Sequence, residues 1–268
     1  MPQTERRTTG PLLEGLRVAV TRPSGQAEAL IEGLRRMGAD PIACPTIRIE
    51  DAEDPAALIT AVEELESYDW IVFTSANGVR RFWAALDRVM DEPRLPLHAR
   101  VAAIGPATAG ELSALGIRPD VVPDEFVAEA VAGVLIATDD MVGRRVLLPR
   151  AAGARKVLPE QLGAAGAEVN EVVAYEARAN PAGIAKLRGA IDRREVDLVT
   201  FTAASTVRHF VEGAGPDLGE ARVAVIGPVT ADAARRLGVR VDVEAGEYTV
   251  DGLLRAISRY FTMSEERG

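Results

Sequence analysis

Short apolar runs alternate with helix-period stretches along nearly the whole chain. Residues 17–20, RVAV, have the length and character of one buried strand. Thr21 to Ser24 is loop. From Gln26 to Met37, apolar residues recur at Ala27, Leu30, Ile31 and Leu34, the spacing of a helix that buries one face, and Gly38 caps it. Pro41 and Pro45 keep 39–51 extended, and alternation at Ile47 and Ile49 predicts an exposed ribbon strand. The pattern then predicts a helix over 55–65, a strand WIVFT (70–74), a polar turn SANG (75–78) and a helix over 79–90. A strand over 100–105, a helix over 106–116, a short strand at Val121–Val122 and a helix over 128–137 follow.

From residue 144 the pattern starts again. RRVLLPRAAGARKVLPEQLGAAGAEV (144–169) repeats the opening, with Arg150 in the place of Arg22 and Gly166 in that of Gly38, both 128 positions on. Thr74 in WIVFTSANGVRRF and Thr202 in LVTFTAASTVRHF keep the same spacing. Gly105 in VAAIGPATAGEL and Gly227 in VAVIGPVTADAA stand 122 apart. A unit this long, repeated once, is a duplication and not a solenoid. Each copy reads β-α, extended ribbon, helix, then three further β-α steps, which predicts a parallel, doubly wound sheet with right-handed crossovers. The ribbons at 39–50 and 167–178 are expected as two antiparallel crossings. They would divide the chain into a discontinuous lobe, 1–43 with 177–268, and an inserted lobe, 50–170, with 44–49 and 171–176 as linkers. Periodicity alone is also satisfied by two sequential domains.

The candidate chemistry sits where strands end. In 221–238 the run Val223–Ile226 meets Gly227, then Pro228 at a position where a helix tolerates a missing N–H, then an Ala/Leu/Arg-rich helix. Strand, glycine and helix N-terminus together offer an anion free backbone donors and the positive end of a helix dipole. Thr230 adds a hydroxyl that could bind a carboxylate or merely cap the helix. Gly105 and Thr108 are its copies. Ser75, Ala76, Asn77 and Gly78, with Ser205 and Thr206 as their twin, offer backbone amides that could grip carboxylates; plain capping by serine or asparagine is the alternative. Arg22 and Arg150 follow the first strand of each copy, where a guanidinium can meet a carboxylate bidentately or simply be solvated. Arg80 and Arg208, in the helices that follow, are weaker candidates.

Composition narrows the class. The chain has 268 residues, 47% of them hydrophobic and 26% charged, as in an ordinary globular protein. Its net charge of −9 argues against nonspecific nucleic-acid binding. One cysteine, Cys44, excludes an internal disulfide framework, and two histidines, His98 and His209, leave little for a metal site. Neither a G-x-G-x-x-G turn nor a P-loop follows any strand, which disfavours nucleotide cofactors. No apolar run approaches a membrane span of about 20 residues. The first fifteen residues lack a signal-peptide core and read as a disordered lead-in, so the cytoplasm is expected.

TRPSGQAEAL, the proline-rich crossing, FTSANGV, AIGPAT, VVAYEAR and VIGPVTA, in this order and spacing, resemble the uroporphyrinogen-III synthase family, over residues 17 to 258. The resemblance implies an α/β fold of two flavodoxin-like lobes joined by a two-stranded β ladder, with a cleft between them. It implies cyclisation of the linear tetrapyrrole hydroxymethylbilane to uroporphyrinogen III, with inversion of the last pyrrole ring, loss of water and no cofactor or metal. An anionic small-molecule substrate, no nucleic-acid or membrane partner and a monomer are expected. Thr230 matches the threonine of the family's GP-x-T motif. Tyr175 matches a tyrosine held to assist departure of the hydroxyl group, the step that most needs an acid; packing of the hinge is its other reading. A non-catalytic two-lobed protein that binds a tetrapyrrole or another anion is the alternative to the enzyme, since fold does not dictate function.

Overall fold

The computed structural model describes residues 13–265, so most of the expected lead-in lies outside the described residues. The first half of the chain runs β1 (Arg17–Val20), α1 (Glu28–Arg36), β2 (Asp40–Ala43), β3 (Ile47–Asp51), α2 (Ala56–Glu63), β4 (Trp70–Phe73), α3 (Ala76–Val89), β5 (Arg100–Ala103), α4 (Pro106–Ala114) and α5 (Ala128–Thr138). The second half runs β6 (Arg145–Ala151), α6 (Val157–Ala164), β7 (Glu168–Ala179), α7 (Pro181–Asp192), β8 (Leu198–Phe201), α8 (Ala204–Ala214), β9 (Arg222–Val225), α9 (Pro228–Arg236), β10 (Val243–Glu244) and α10 (Val250–Glu265). Two compact units result. One comprises the chain up to Arg48 and from Arg178 onward; the other is Ile49–Ala177.

The first unit carries a sheet in the order β10-β9-β8-β1-β2, and the second carries β3-β7-β6-β4-β5. β10 through β2 pair in parallel throughout, and so do β7, β6, β4 and β5. Every strand of the central pairs is buried on both faces because helices cover both. In the first unit Leu187 of α7, Phe210 of α8 and Ala231 of α9 pack with Ala19, Val199 and Val225 on one face. Leu34 of α1 and Leu253 of α10 pack with Val18, Val20 and Leu198 on the other. The second unit repeats this, with Val62, Phe82 and Leu112 against Ile71 and Phe73, and Val131 and Leu158 against Trp70 and Val72. Each unit is thus a three-layer α/β/α sandwich.

The duplication persists in the fine structure. Asp197 accepts the Arg17 amide at 2.9 Å and Asp69 accepts the Arg145 amide at 2.9 Å. Asp120 and Asp242 likewise accept the amides of Val101 and Val223. These aspartates hold the N-terminal ends of adjacent strands in register, which periodicity does not reveal. Gly38 and Gly166, both past a helix end, take φ of +88° and +95°, the left-handed region that excludes most side chains.

Three expectations change. Residues 39–50 are not one ribbon: β2 joins the first sheet in parallel with β1, and β3 lies beside β7 at the edge of the second. The break falls at Cys44–Pro45–Thr46, where proline interrupts a ladder. SANG is not a turn separate from the helix; Ser75 is the N-cap of α3, and Ala76, Asn77 and Gly78 form its first turn. Val121 makes only an isolated parallel bridge to Ala102.

Candidate active site

In an open parallel sheet, a crevice forms at the carboxyl ends of adjacent strands whose connections leave in opposite directions. In the second unit that point lies between β4 and β6, because the chain goes from β4 outward to β5 and from β6 outward to β7. Ser75 follows β4 there, and Arg150 lies in the last turn of β6's ladder. Tyr175 of β7 stands beside them because β7 carries a bulge. Arg150 pairs with Val173 but Ala151 pairs with Tyr175, so β7 spends one extra residue. A bulge re-aims the side chains that follow it. Ala174 and Tyr175 are accordingly both buried, where strict alternation would expose one of them.

Tyr175 is 7% exposed. Its hydroxyl donates to Ser75 Oγ at 2.9 Å, and Ser75 Oγ also accepts the Gly78 amide at 3.0 Å as the cap of α3. Burial pushes the phenol's pKa up, while its hydrogen bonds with Ser75 and Asn77 and the charges of Arg150 and Arg80 oppose that rise. The hydrogen bond to Ser75 fixes the orientation of the Tyr175 hydroxyl. Arg150 is 6% exposed. Its Nη1 donates to Glu171 at 2.8 Å and its Nη2 to the Arg155 carbonyl, leaving Nε as a buried donor with no partner among the described residues. Glu171 is shared with Lys156 at 2.9 Å. Arg80, on the exposed side of α3, reaches Glu111 at 2.9 Å and Asn77 at 3.2 Å.

The first unit has its own reversal point between β1 and β8. Thr21 Oγ1 donates to the Thr200 carbonyl at 2.7 Å and Thr200 Oγ1 to the Ala19 carbonyl at 3.0 Å, locking the ends of these two strands together. Arg22 follows immediately. It is half-buried and makes no hydrogen bond or ion pair among the described residues; desolvation lowers its guanidinium's pKa from the usual value. The duplicated arginines have therefore diverged: Arg150 is committed to Glu171, and Arg22 is uncommitted.

The glycine-threonine turns also diverge from simple caps. Gly227 and Gly105 are the N-caps of α9 and α4, and neither helix has a side-chain cap bond. Thr230 and Thr108, 4% and 3% exposed, make no side-chain hydrogen bond among the described residues. Capping does not occupy them. The glycines are needed for close approach: a Cβ on Gly227 would come within 2.6 Å of Tyr248 Cδ1, and one on Gly105 within 2.9 Å of Phe126 Cγ. Phe126 and Tyr248 are a matched pair that periodicity misses, at the same 122-residue spacing as their glycines. In the twin of SANG, Ala203 replaces Ser75 as N-cap of α8 and gives no cap bond. Thr206 Oγ1 turns back to the Ala203 carbonyl at 2.7 Å, and its own carbonyl accepts Thr46 Oγ1 at 2.9 Å. Ser205 lies half-buried in that first turn.

Two α/β/α sandwiches, each with helix N-termini at the carboxyl ends of its parallel strands, define a two-unit α/β protein. Comparison with known proteins makes this specific. The family model described as uroporphyrinogen-III synthase HemD matches residues 28–255. The chain is 34% identical over 259 residues to a uroporphyrinogen-III synthase of Synechococcus elongatus, covering 93% of this chain and 97% of that one. It is 28% identical to another from Chlorobaculum parvum, covering 84% and 91%. A solved uroporphyrinogen III synthase of Thermus thermophilus shares the fold, with a TM-score of 0.65 at 24% identity, covering 93% of this chain and all of that one. The chain belongs to the uroporphyrinogen-III synthase family.

Proposed function

We propose that this chain closes the linear tetrapyrrole hydroxymethylbilane to uroporphyrinogen III, inverting the terminal pyrrole ring and releasing water. Family membership supports the reaction. The observation that carries the site is the placement of Tyr175, ordered by Ser75 at the reversal point of the second sheet.

The bilane carries acetate and propionate carboxylates along its length, and each unit supplies groups suited to them. Arg22 brings an unpaired guanidinium, Thr230 and Thr108 bring unpaired hydroxyls, and the first turns after Gly227, Gly105, Ser75 and Ala203 bring orphan backbone amides. Donors fixed by a fold cost little to reorganise around developing charge. Tyr175 assists loss of the hydroxyl, and positioning supplies the rest: holding the terminal ring inverted against its target carbon turns a floppy chain into a near-attack conformer. Arg150 serves this site by holding β6 to β7 through Glu171 rather than as a free carboxylate ligand.

We read the two sheets as flavodoxin-like lobes, a discontinuous and an inserted one, whose crossings at β3 and β7 form the linking ladder. The reading includes a cytoplasmic monomer that needs no cofactor and engages neither nucleic acid nor membrane. The test is isomer analysis. Purified protein given hydroxymethylbilane should yield the inverted isomer. Only the uninverted isomer, formed spontaneously, would show a protein that binds without catalysing, which is the alternative reading of the same fold.

A further inference from the structure

We infer that the Ser75 side chain, and not Tyr175, is the group that donates directly to the departing hydroxyl, with Tyr175 as the positioning residue behind it. This rests on the reading above. A phenol is the stronger acid of the two hydroxyls, so the proton in the 2.9 Å contact belongs to Tyr175, and Ser75 Oγ accepts it. Ser75 Oγ also accepts the Gly78 amide at 3.0 Å. Both of its lone pairs are then used, and its own O–H is left over as a donor. Tyr175 has the reverse balance. Its single proton goes to Ser75, which leaves the Asn77 amide to meet the phenol's lone pairs; the residue is 7% exposed, and burial raises the pKa that would have to fall for it to ionise. Ser75 is only half-buried, at the head of α3 where the helix dipole favours negative charge.

The duplication sharpens the argument. The second copy has Ala203 in the place of Ser75 and, at the position matching Tyr175, the first copy has Ile47. Both hydroxyls are thus confined to one unit, although the glycine-threonine turns after the strands occur in both. A pair needed only to stabilise a strand-to-helix turn would not be confined so, since α8 forms behind Ala203 without it. In the first turn of α4, which follows the neighbouring strand β5, Thr108 keeps an unpartnered hydroxyl at 3% exposure. As the carbon–oxygen bond breaks, its electron pair leaves with the oxygen, the pyrrole nitrogen's lone pair fills the vacancy at carbon, and the Ser75 O–H hydrogen bond to the departing hydroxide shortens; the proton released when the closing ring regains aromaticity completes the water. Tyr175 polarises that O–H by donating to the same oxygen.

The experiment is a double-substitution cycle read as the rate of inverted-isomer formation, with kcat and KM for hydroxymethylbilane separated and thermal melts recorded alongside. Ser75→Ala should lower kcat by about tenfold or more with KM within about threefold. Ser75→Thr, which keeps hydroxyl and cap, should retain most of kcat. Tyr175→Phe should lower kcat in the parent protein but change it less than about twofold in the Ser75→Ala background. Full kcat in Ser75→Ala, or an undiminished effect of Tyr175→Phe in that background, overturns the inference. Should Ser75→Ala fail to fold, Ser75→Gly, which an N-cap tolerates, takes its place: it should lose kcat to the same extent, and full kcat there overturns the inference. If the parent protein gives no inverted isomer, it is the proposed function that fails, independently of Ser75.

Discussion

At the scale of single residues, two arginines related by duplication have opposite circumstances. Arg150 neutralises Glu171 from a nearly buried position and leaves Nε unpartnered. Arg22 has no counter-charge among the described residues and is only partly desolvated. Removing one member of a desolvated pair strands the other, so Arg150→Met should destabilise the protein by about 2 kcal/mol in urea unfolding. Arg22→Gln should leave stability within about 0.5 kcal/mol and instead raise KM for the bilane about tenfold, the loss of one charge-assisted hydrogen bond. Equal effects of the two substitutions on KM and stability would contradict this division. Both arginines were legible in the sequence as matched strand-end cations. Their divergence was not, because it depends on whether a glutamate from a neighbouring strand lies across from each.

At the scale of elements, strands are pinned at their N-terminal ends by aspartates as much as by the ladder. Arg17 places Nε and Nη2 on the Asp197 carboxylate at 2.9 and 2.7 Å while its amide holds the same group, tying β1 to the segment before β8. The Arg17 hydrogen bonds hold Asp197 below the usual carboxylate range. A depressed folded-state pKa contributes stability above the unfolded value, about 3.9, and loses it as pH falls through the folded one. The stability gap between the parent and Asp197→Asn should therefore be constant above about pH 5 and close below about pH 4. A gap that persists undiminished in acid would mean the aspartate acts through shape alone. The helices and most strands were legible from apolar spacing, since each strand is buried between two helical layers. The ribbon at 39–50 was misread because proline and alternation describe an extended chain but not its partner: β2 and β3 look alike locally and end in different sheets.

At the scale of the whole molecule, the two units differ in how the chain builds them. The second sheet and both of its apolar faces come from one continuous stretch, while the first requires the chain on either side of it. Residues 47–179, expressed alone, should fold and unfold cooperatively in urea with native-like circular dichroism, because a stretch of this size buries about two-thirds of its unfolded surface. A molten or aggregated product would show that its core depends on the rest of the chain. Tyr175 and Ser75 lie wholly within this stretch, so the hydroxyl pair should survive there even where turnover does not.

What the amino-acid order determined by itself was whatever repeats or has a period: the two copies, their β-α rhythm, the glycine turns and the strand-end positions where anions can be met. Such features are set by local backbone preference and by burial of every third or fourth, or every consecutive, side chain. Tertiary structure alone decided which of the duplicated groups are occupied. The bulge in β7 swings Tyr175 to Ser75, Glu171 captures Arg150, and no acidic side chain among the described residues reaches Arg22. Each of these depends on register between strands distant in sequence, and a shift of one residue changes which side chains meet without altering the pattern that predicted the strands.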